Sequence, residues 1–307
     1  MPAAFLFPGQ GAQFVGMGRD LLEAGSQTDR FLKAAEEQLA LPLRRLLLDG
    51  PESALQATEH AQPAILFHSL ALLALLQEGG VIPVAVAGHS LGEFGGLVAA
   101  RALQPLDALT AVLARGRAMA AAAPAGTGMA AVLGLTDADV VRLCDERADV
   151  VAANFNAPGQ VVISGTDEAL DQIAPALQRA GARRVVRLPV SAAFHSPFME
   201  QAARTFRTAW AKLRLEPLDR PQVFNADAEV HRDPAEVHEL MIGQLTGPVR
   251  WSASIERLSK LGIDTYIEVG PKRTLTGLVK KIVPTAVVHN IEDMSSLRAY
   301  LSGSHAA

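Results

Sequence analysis

Val84-Ala85-Val86-Ala87-Gly88-His89-Ser90-Leu91-Gly92-Glu93-Phe94 is the stretch on which the reading of this chain turns. Val84 to Ala87 is a short apolar run, the pattern of a strand buried on both faces. It stops at Gly88, two residues before Ser90. Leu91-Gly92 follows, and then a helix-compatible run from Glu93 to Leu103. Strand, G-x-S-x-G, helix is the order of a nucleophile elbow. The tight turn lifts a serine hydroxyl clear of the sheet edge, and the glycines let strand and helix pass closely. N–H groups at the helix start then face the space where an oxyanion would form. A glycine-rich strand-to-helix turn with a serine N-cap is spelled with the same letters, so the rest of the chain must choose between them.

With 307 residues, the chain is long enough for one large domain or two unequal ones. A hydrophobic share of 49% argues for a globular core, and only 5% aromatics means that Ala, Leu and Val must build it. The net charge of −4 gives no electrostatic case for nucleic acid. Cys144 is the only cysteine, which excludes an internal disulfide and a cysteine-based zinc site, and no metal-ligand cluster is read. The N-terminus lacks a basic region followed by an apolar one, so no secretory leader is read. The apolar run Ile65 to Leu76 contains His68 and Ser69 and is too short to span a bilayer. A soluble, cytoplasmic protein is expected.

Upstream of the central stretch, Phe5-Leu6-Phe7 reads as a buried strand ended by Pro8-Gly9-Gln10-Gly11. That loop either presents the Gln10 amide to a ligand or is a plain strand-to-helix connection. Residues 20–80 read as helices punctuated by Pro42, Pro51 and Pro63, with Gln62-Pro63 as a helix start. Downstream, Asp107 to Ala123 is a strong helix whose apolar stripe includes Ala108, Ala111, Val112, Arg115, Ala118 and Met119. An arginine thus stands on the face to be buried, and a buried guanidinium requires an anion. Two partners remain open: an internal Asp or Glu, or a substrate carboxylate held by two parallel hydrogen bonds.

After Pro124-Ala125-Gly126-Thr127-Gly128 the periods alternate as strand, helix, strand, strand, helix, strand up to Val190. Thr136-Asp137-Ala138-Asp139 supplies a helix start within the series. That order is the split ferredoxin-like unit, read as an insert over residues 125–197. His195 lies where the chain re-enters the large unit, among apolar neighbours, and is either a structural histidine or a base. His60, His231, His238 and His305 read as solvated. His68 reads as a hydrogen-bonded core residue, and His289 is left open. Further helices are read at 198–213, 234–245, 249–261 and 275–282, with strands near 223–225, 265–269 and 286–288 and a frayed tail beyond Ser302.

Phe7-Pro8-Gly9-Gln10-Gly11, Gly88-His89-Ser90-Leu91-Gly92-Glu93, Arg115-Gly116-x-x-Met119, Asn154-Phe155-Asn156-x-Pro158-Gly159-Gln160, Phe194-His195-Ser196 and Glu268-Val269-Gly270-Pro271 occur in that order. The ordered set resembles the malonyl-CoA:acyl carrier protein transacylases of fatty acid and polyketide synthesis over essentially the whole chain. The resemblance implies an α/β-hydrolase-like large subdomain, residues 1–124 and 198–307, with an inserted ferredoxin-like subdomain, residues 125–197. It implies ping-pong transfer of malonyl from malonyl-CoA to the phosphopantetheine thiol of an acyl carrier protein through an acyl-serine. No permanently bound cofactor is expected, and a monomer is.

Carried over position by position, the resemblance makes Ser90 the nucleophile and His195 the general base. The N–H groups of Gln10 and Leu91 form the oxyanion hole, and Arg115 holds the malonyl carboxylate. The backbone carbonyl of Arg250 orients the histidine, and Phe194 marks malonyl selectivity. Lys272-Arg273 departs from the usual glycine after Gly-Pro. Lys272, Arg273, Lys280 and Lys281 form a basic cluster suited either to an acidic carrier protein or to plain solvent. A carrier-protein thioesterase is the alternative. It shares the Ser-His pair without the arginine, so Arg115 counts against it. A non-catalytic carrier-docking module would not need Ser90 and His195.

Overall fold

The computed structural model describes residues 2–23, 25–190 and 192–303. Ten strands, numbered along the chain, form two sheets: β1 Ala3–Phe7, β2 Ala85–Gly88, β3 Thr127–Leu133, β4 Val150–Ala157, β5 Gln160–Thr166, β6 Arg184–Arg187, β7 Gln222–Val223, β8 Val230–His231, β9 Thr265–Val269 and β10 Val287–Ile291. The larger sheet has the order β10-β9-β1-β2-β7-β8 and is parallel except for the β7–β8 pair. β1, β2 and β9 are buried at every position, as the apolar runs of β1 and β2 require when helices cover both faces; β9 also buries Thr265 and Glu268. The register sets Phe7 beside Gly88 and Leu6 beside Glu268. The loops after β1, β2 and β9 therefore leave the sheet at one edge, the carboxyl ends of its parallel strands, where α/β sheets place ligands.

Residues 127–187 build the second sheet, antiparallel in the order β4-β5-β3-β6, with helices Asp137–Asp145 and Asp167–Arg179 after its first and third strands. This is the ferredoxin-like order, and the whole is the α/β architecture with a smaller second unit that the sequence predicts. Thr136 and Thr166 cap the two helices through their hydroxyls, accepting from Asp139 N and Ala169 N. β4 ties the two sheets together: Phe155 N donates to Val249 O at 2.9 Å and Val249 N to Ala153 O at 2.8 Å.

Several elements differ from the sequence reading. Helix Thr58–Glu78 begins five residues before Pro63, not at it. In the second turn the proline forfeits one bond, to the Glu59 carbonyl, and burial on every side outweighs that loss. Helix Met294–Leu301 went unread; Asp293 and Ser296 close a capping box at its start. β4, β5 and β10 run two to four residues longer than their apolar runs suggest. His68 is buried in the core as expected; the Glu292 backbone hydrogen-bonds to its imidazole, at a geometry outside the strict hydrogen-bond range among the described residues. His289 lies in β10 with its ring edge-on to Tyr300 at 5.2 Å. His305 falls outside the described residues. Among those residues no helix is long and apolar enough to cross a membrane, and no cluster of His, Cys, Asp and Glu is suited to a metal.

Candidate active site

The turn after β2 is built by what its glycines lack. A Cβ on Gly88 would lie 1.9 Å from Gly92 C, and one on Gly92 would lie 2.1 Å from Phe7 O. Strand and helix can cross that closely only without side chains. Ser90, between them, has φ of 52°, a left-handed conformation that costs a non-glycine residue of order 1 kcal/mol. Asn225, just past β7, holds the turn in that shape: its Oδ1 accepts from Ser90 N at 2.7 Å and its Nδ2 donates to Gly88 O at 2.7 Å. The neighbouring His89 has its Nε2 2.8 Å from Asn156 Oδ1 on β4.

Ser90 Oγ lies 2.8 Å from His195 Nε2, across 105 residues of sequence. The histidine also has a left-handed φ, 55°, in a loop pinned by Ser164 Oγ donating to Phe194 O at 2.6 Å and Ser196 Oγ donating to Ala193 O at 2.5 Å. Ser164 belongs to β5, so the small sheet holds the loop that carries the imidazole. His195 Nδ1 stands 2.9 Å from the backbone oxygen of Gln244. A carbonyl only accepts, so Nδ1 carries the proton and Nε2 is free to accept one from Ser90. Burial, reinforced by the Arg115 charge, pushes the imidazole down to about 3, so it is neutral at ordinary pH.

The orienting carbonyl corrects the expectation for Arg250. Arg250 is the N-cap of helix Trp251–Lys260, and its carbonyl is committed to the first turn, accepting from Ser254 N and Oγ, each at 2.9 Å. Gln244 caps the C-terminal end of helix Pro234–Gly243, where carbonyls have no helical partner. The arrangement of base and main-chain oxygen is as expected; the residue supplying it is Gln244.

Arg115 is 1% exposed, and its neighbours bear on one of the two partners left open by the sequence, an internal Asp or Glu. Its Nη1 donates to Gln62 Oε1 at 2.8 Å; its Nη2 donates to Gln244 Oε1 at 2.8 Å and to Ser90 Oγ at 3.0 Å. Its buried Nε has no partner. No carboxylate pairs with it among the described residues. Burial lowers the guanidinium to about 10, with the Glu93 charge opposing, so it remains cationic at neutral pH. A buried cation surrounded by neutral oxygens, one edge unpartnered, beside a serine hydroxyl, can grip an anion brought to that hydroxyl.

Ser90, Arg115 and His195 line a cavity of about 410 Å³ together with Gln10, Leu91 and Phe194. Among the described residues, no backbone acceptor engages the main-chain N–H of Gln10 or of Leu91. The Gln10 side chain turns to Thr58 instead, Nε2 to Oγ1 at 3.2 Å. Lys272 also lines the cavity, with Nζ 2.9 Å from Gly11 O and φ of 60°, the strained conformation that explains a glycine preference at this position. The structure thus brings together Ser90, His195, Arg115, Gln10, Leu91, Phe194 and Lys272, and leaves Arg250, Arg273, Lys280 and Lys281 outside the cavity lining.

The acyl transferase domain family matches residues 4–299 of this chain. A malonyl CoA-acyl carrier protein transacylase of Bacillus subtilis is 41% identical over 285 residues, 91% of this chain and 90% of that protein. This chain belongs to the malonyl-CoA:acyl carrier protein transacylase family. An acyl carrier protein S-malonyltransferase from Vibrio cholerae superposes with a TM-score of 0.94 at 37% identity, covering 98% of this chain and all of that one. A malonyl-transacylase solved in complex with a type II PKS acyl-carrier protein superposes at 0.95, with 35% identity and 99% of this chain covered. Membership does not by itself single out Gln62, Glu93, Asn225 and Gln244, the buried polar residues around this transacylase-family site that sequence reasoning missed or left without a role. The available signal was a glutamine opening an apolar run, in Gln62-Pro63-Ala64-Ile65-Leu66-Phe67, and another closing one, in Met241-Ile242-Gly243-Gln244-Leu245.

Proposed function

We propose that this chain transfers malonyl from malonyl-CoA to the phosphopantetheine thiol of an acyl carrier protein by a ping-pong mechanism. Ser90, on a nucleophile elbow, attacks the thioester carbonyl carbon as its hydroxyl proton passes to His195 Nε2. The carbonyl oxygen becomes an oxyanion facing the N–H groups of Gln10 and Leu91. Collapse breaks the C–S bond, and the departing CoA sulfur takes the proton from His195, leaving malonyl-Ser90. The carrier thiol then gives His195 its proton, attacks the ester carbonyl, and Ser90 leaves with that proton. Arg115 grips the free carboxylate throughout, and Phe194 borders the acyl pocket. Residues 1–124 with 198–307 act as the catalytic subdomain and 125–197 as the inserted ferredoxin-like subdomain. The enzyme works as a monomer in the cytoplasm with no bound cofactor. Lys272, Arg273, Lys280 and Lys281 offer the carrier a basic face.

The observation that carries this reading is Arg115: fully buried, cationic, without a carboxylate partner, its Nη2 on the Ser90 hydroxyl. A thioesterase acting on neutral acyl chains would leave that charge unpaired. Incubation with malonyl-CoA followed by intact-mass measurement tests the reading. The unaltered protein gains one malonyl on Ser90, and Ser90→Ala gains none. Labelling of the alanine variant at the parent level refutes it.

A further inference from the structure

Gln244 touches the base, the buried guanidinium and the nucleophile's main chain. Its carbonyl oxygen holds His195 Nδ1 at 2.9 Å, and its side-chain oxygen accepts from Arg115 Nη2 at 2.8 Å. Its side-chain nitrogen donates to Ser90 O at 3.0 Å and to Glu93 Oε2. Gln244 and Glu93 are both fully buried. Glu93 accepts through its other oxygen from Asn225 N at 2.5 Å. These contacts fix which way the amide faces. The NH₂ end meets the Ser90 carbonyl, which can only accept, and a Glu93 oxygen, while the oxygen end meets a donor-only guanidinium. A reversed amide would set donor against donor and acceptor against acceptor at once.

We infer that Gln244, its amide orientation fixed by Glu93, is a positioning residue that sets the preference for acyl groups bearing a free carboxylate. The inference rests on the transferase reading above. A neutral oxygen on Nη2 holds the guanidinium in place without neutralising it. The nearest buried carboxyl, Glu93, is kept one amide away. Were a carboxylate in the place of Gln244, it would pair with Arg115 directly and compete with the substrate for the same donors. The same residue's main chain orients the base, so recognition of the carboxylate and orientation of the imidazole share one rigid support.

The test exchanges the pair. The double variant Glu93→Gln/Gln244→Glu keeps composition, net charge and a donor–acceptor contact between the two positions, but brings the carboxylate against Arg115. The readout is the ratio of kcat/KM for malonyl-CoA over acetyl-CoA, which a loss of folded protein does not change. Gln244→Met is measured alongside, since it removes the side-chain amide and keeps the main-chain carbonyl. The exchange should lower the ratio at least tenfold, mostly through a higher KM for malonyl-CoA. Gln244→Met should lower it by roughly threefold to tenfold, less than loss of the bond to the substrate itself, because it loosens the guanidinium without removing its charge. An exchanged protein with the parent ratio overturns the inference, because a purely structural pair would tolerate the swap. Failure of the unaltered protein to form malonyl-Ser90 overturns instead the transferase reading beneath it.

Discussion

Replacing Arg115 by alanine removes the one positive charge that the site buries without a carboxylate. The substrate carboxylate is the group whose loss should be felt. Two of the three guanidinium nitrogens already serve Gln62, Gln244 and Ser90, and Nε serves none. A carboxylate arriving at this edge gains charge-assisted hydrogen bonds in a site shut off from water, each worth about 1.5–3 kcal/mol net. One such bond corresponds to roughly 10- to 150-fold in kcat/KM. Acetyl has no carboxylate and loses only what Arg115 contributes to placing Ser90. The malonyl-to-acetyl ratio of kcat/KM should therefore fall by roughly 10- to 150-fold in Arg115→Ala. Arg115→Lys keeps a charge but not the fork, and should fall between alanine and the parent. The variant leaves two buried amide oxygens unpaired, at about 1–3 kcal/mol each, so a lower melting temperature is expected, and the ratio is the decisive quantity. If the ratio is unchanged in both variants, Arg115 does not hold the substrate carboxylate, and the thioesterase reading regains ground.

His195→Ala should retain the fold and lose about 10²–10⁴ in transfer rate; a variant within threefold of the parent would make His195 structural only. Charge reversal at Lys280 and Lys281 should raise the carrier-protein KM and leave malonyl-CoA self-acylation unchanged, and stopped-assay kinetics with each substrate separate the two. His68 is held by burial at about 4 against an ordinary 6.5. The unfolded chain therefore takes a proton below 6.5 that the folded protein refuses. Stability is intact above 6.5 and falls as pH drops toward 4, by about 2 kcal/mol at pH 5 from this residue. His68→Gln should flatten melting temperature against pH in that range, and an unchanged slope would exclude His68 as a cause.

The parts of the site legible in the sequence are those whose conformation leaves a local signature. Gly88 and Gly92 announce a close strand–helix crossing, and an arginine in an apolar helical stripe announces a buried charge. The helix and strand periods of residues 127–187 were enough to recover the β-α-β-β-α-β order and thus the second sheet. Partners of the buried charge were not legible. Gln62 and Gln244 meet Arg115 across 53 and 129 residues, and an amide in an apolar run looks like any tolerated polar residue until its neighbours are known. The expected role of Arg250 missed for a related reason. Which carbonyl faces a histidine depends on which residues a helix has already committed, and Arg250 spends its carbonyl on Ser254. The helix Met294–Leu301 was missed because only Leu297 of its eight residues is buried, which leaves too short an apolar stripe to show a helical period.

Three ionisable side chains are buried around one hydroxyl, and their burial sets the pH range in which the site is correctly charged. Arg115 stays protonated below about 10 and His195 stays neutral above about 3. Between those limits the base is ready to accept a proton and the cation to hold a carboxylate, with no titration of either group near neutrality. Glu93 differs: burial raises its carboxyl to about 8, opposed by its contacts with Asn225 and Gln244. A raised carboxyl favours the folded state below its ordinary value and loses that contribution as pH rises through 8, opposite in sign to the two histidines. Acidification from 6.5 toward 4.5 therefore sets His68 and His195, which weaken the fold as they are forced to take up protons, against Glu93, whose raised carboxyl favours the fold there. Activity on the acid side should consequently follow the folded fraction and show no separate limb near 6.5. Rates of malonyl-Ser90 formation and circular dichroism on the same samples decide this. An acid limb in kcat/KM at pH 6–7 with the fold intact would mean that His195 takes up protons freely, and so is not sealed from water as its surroundings require.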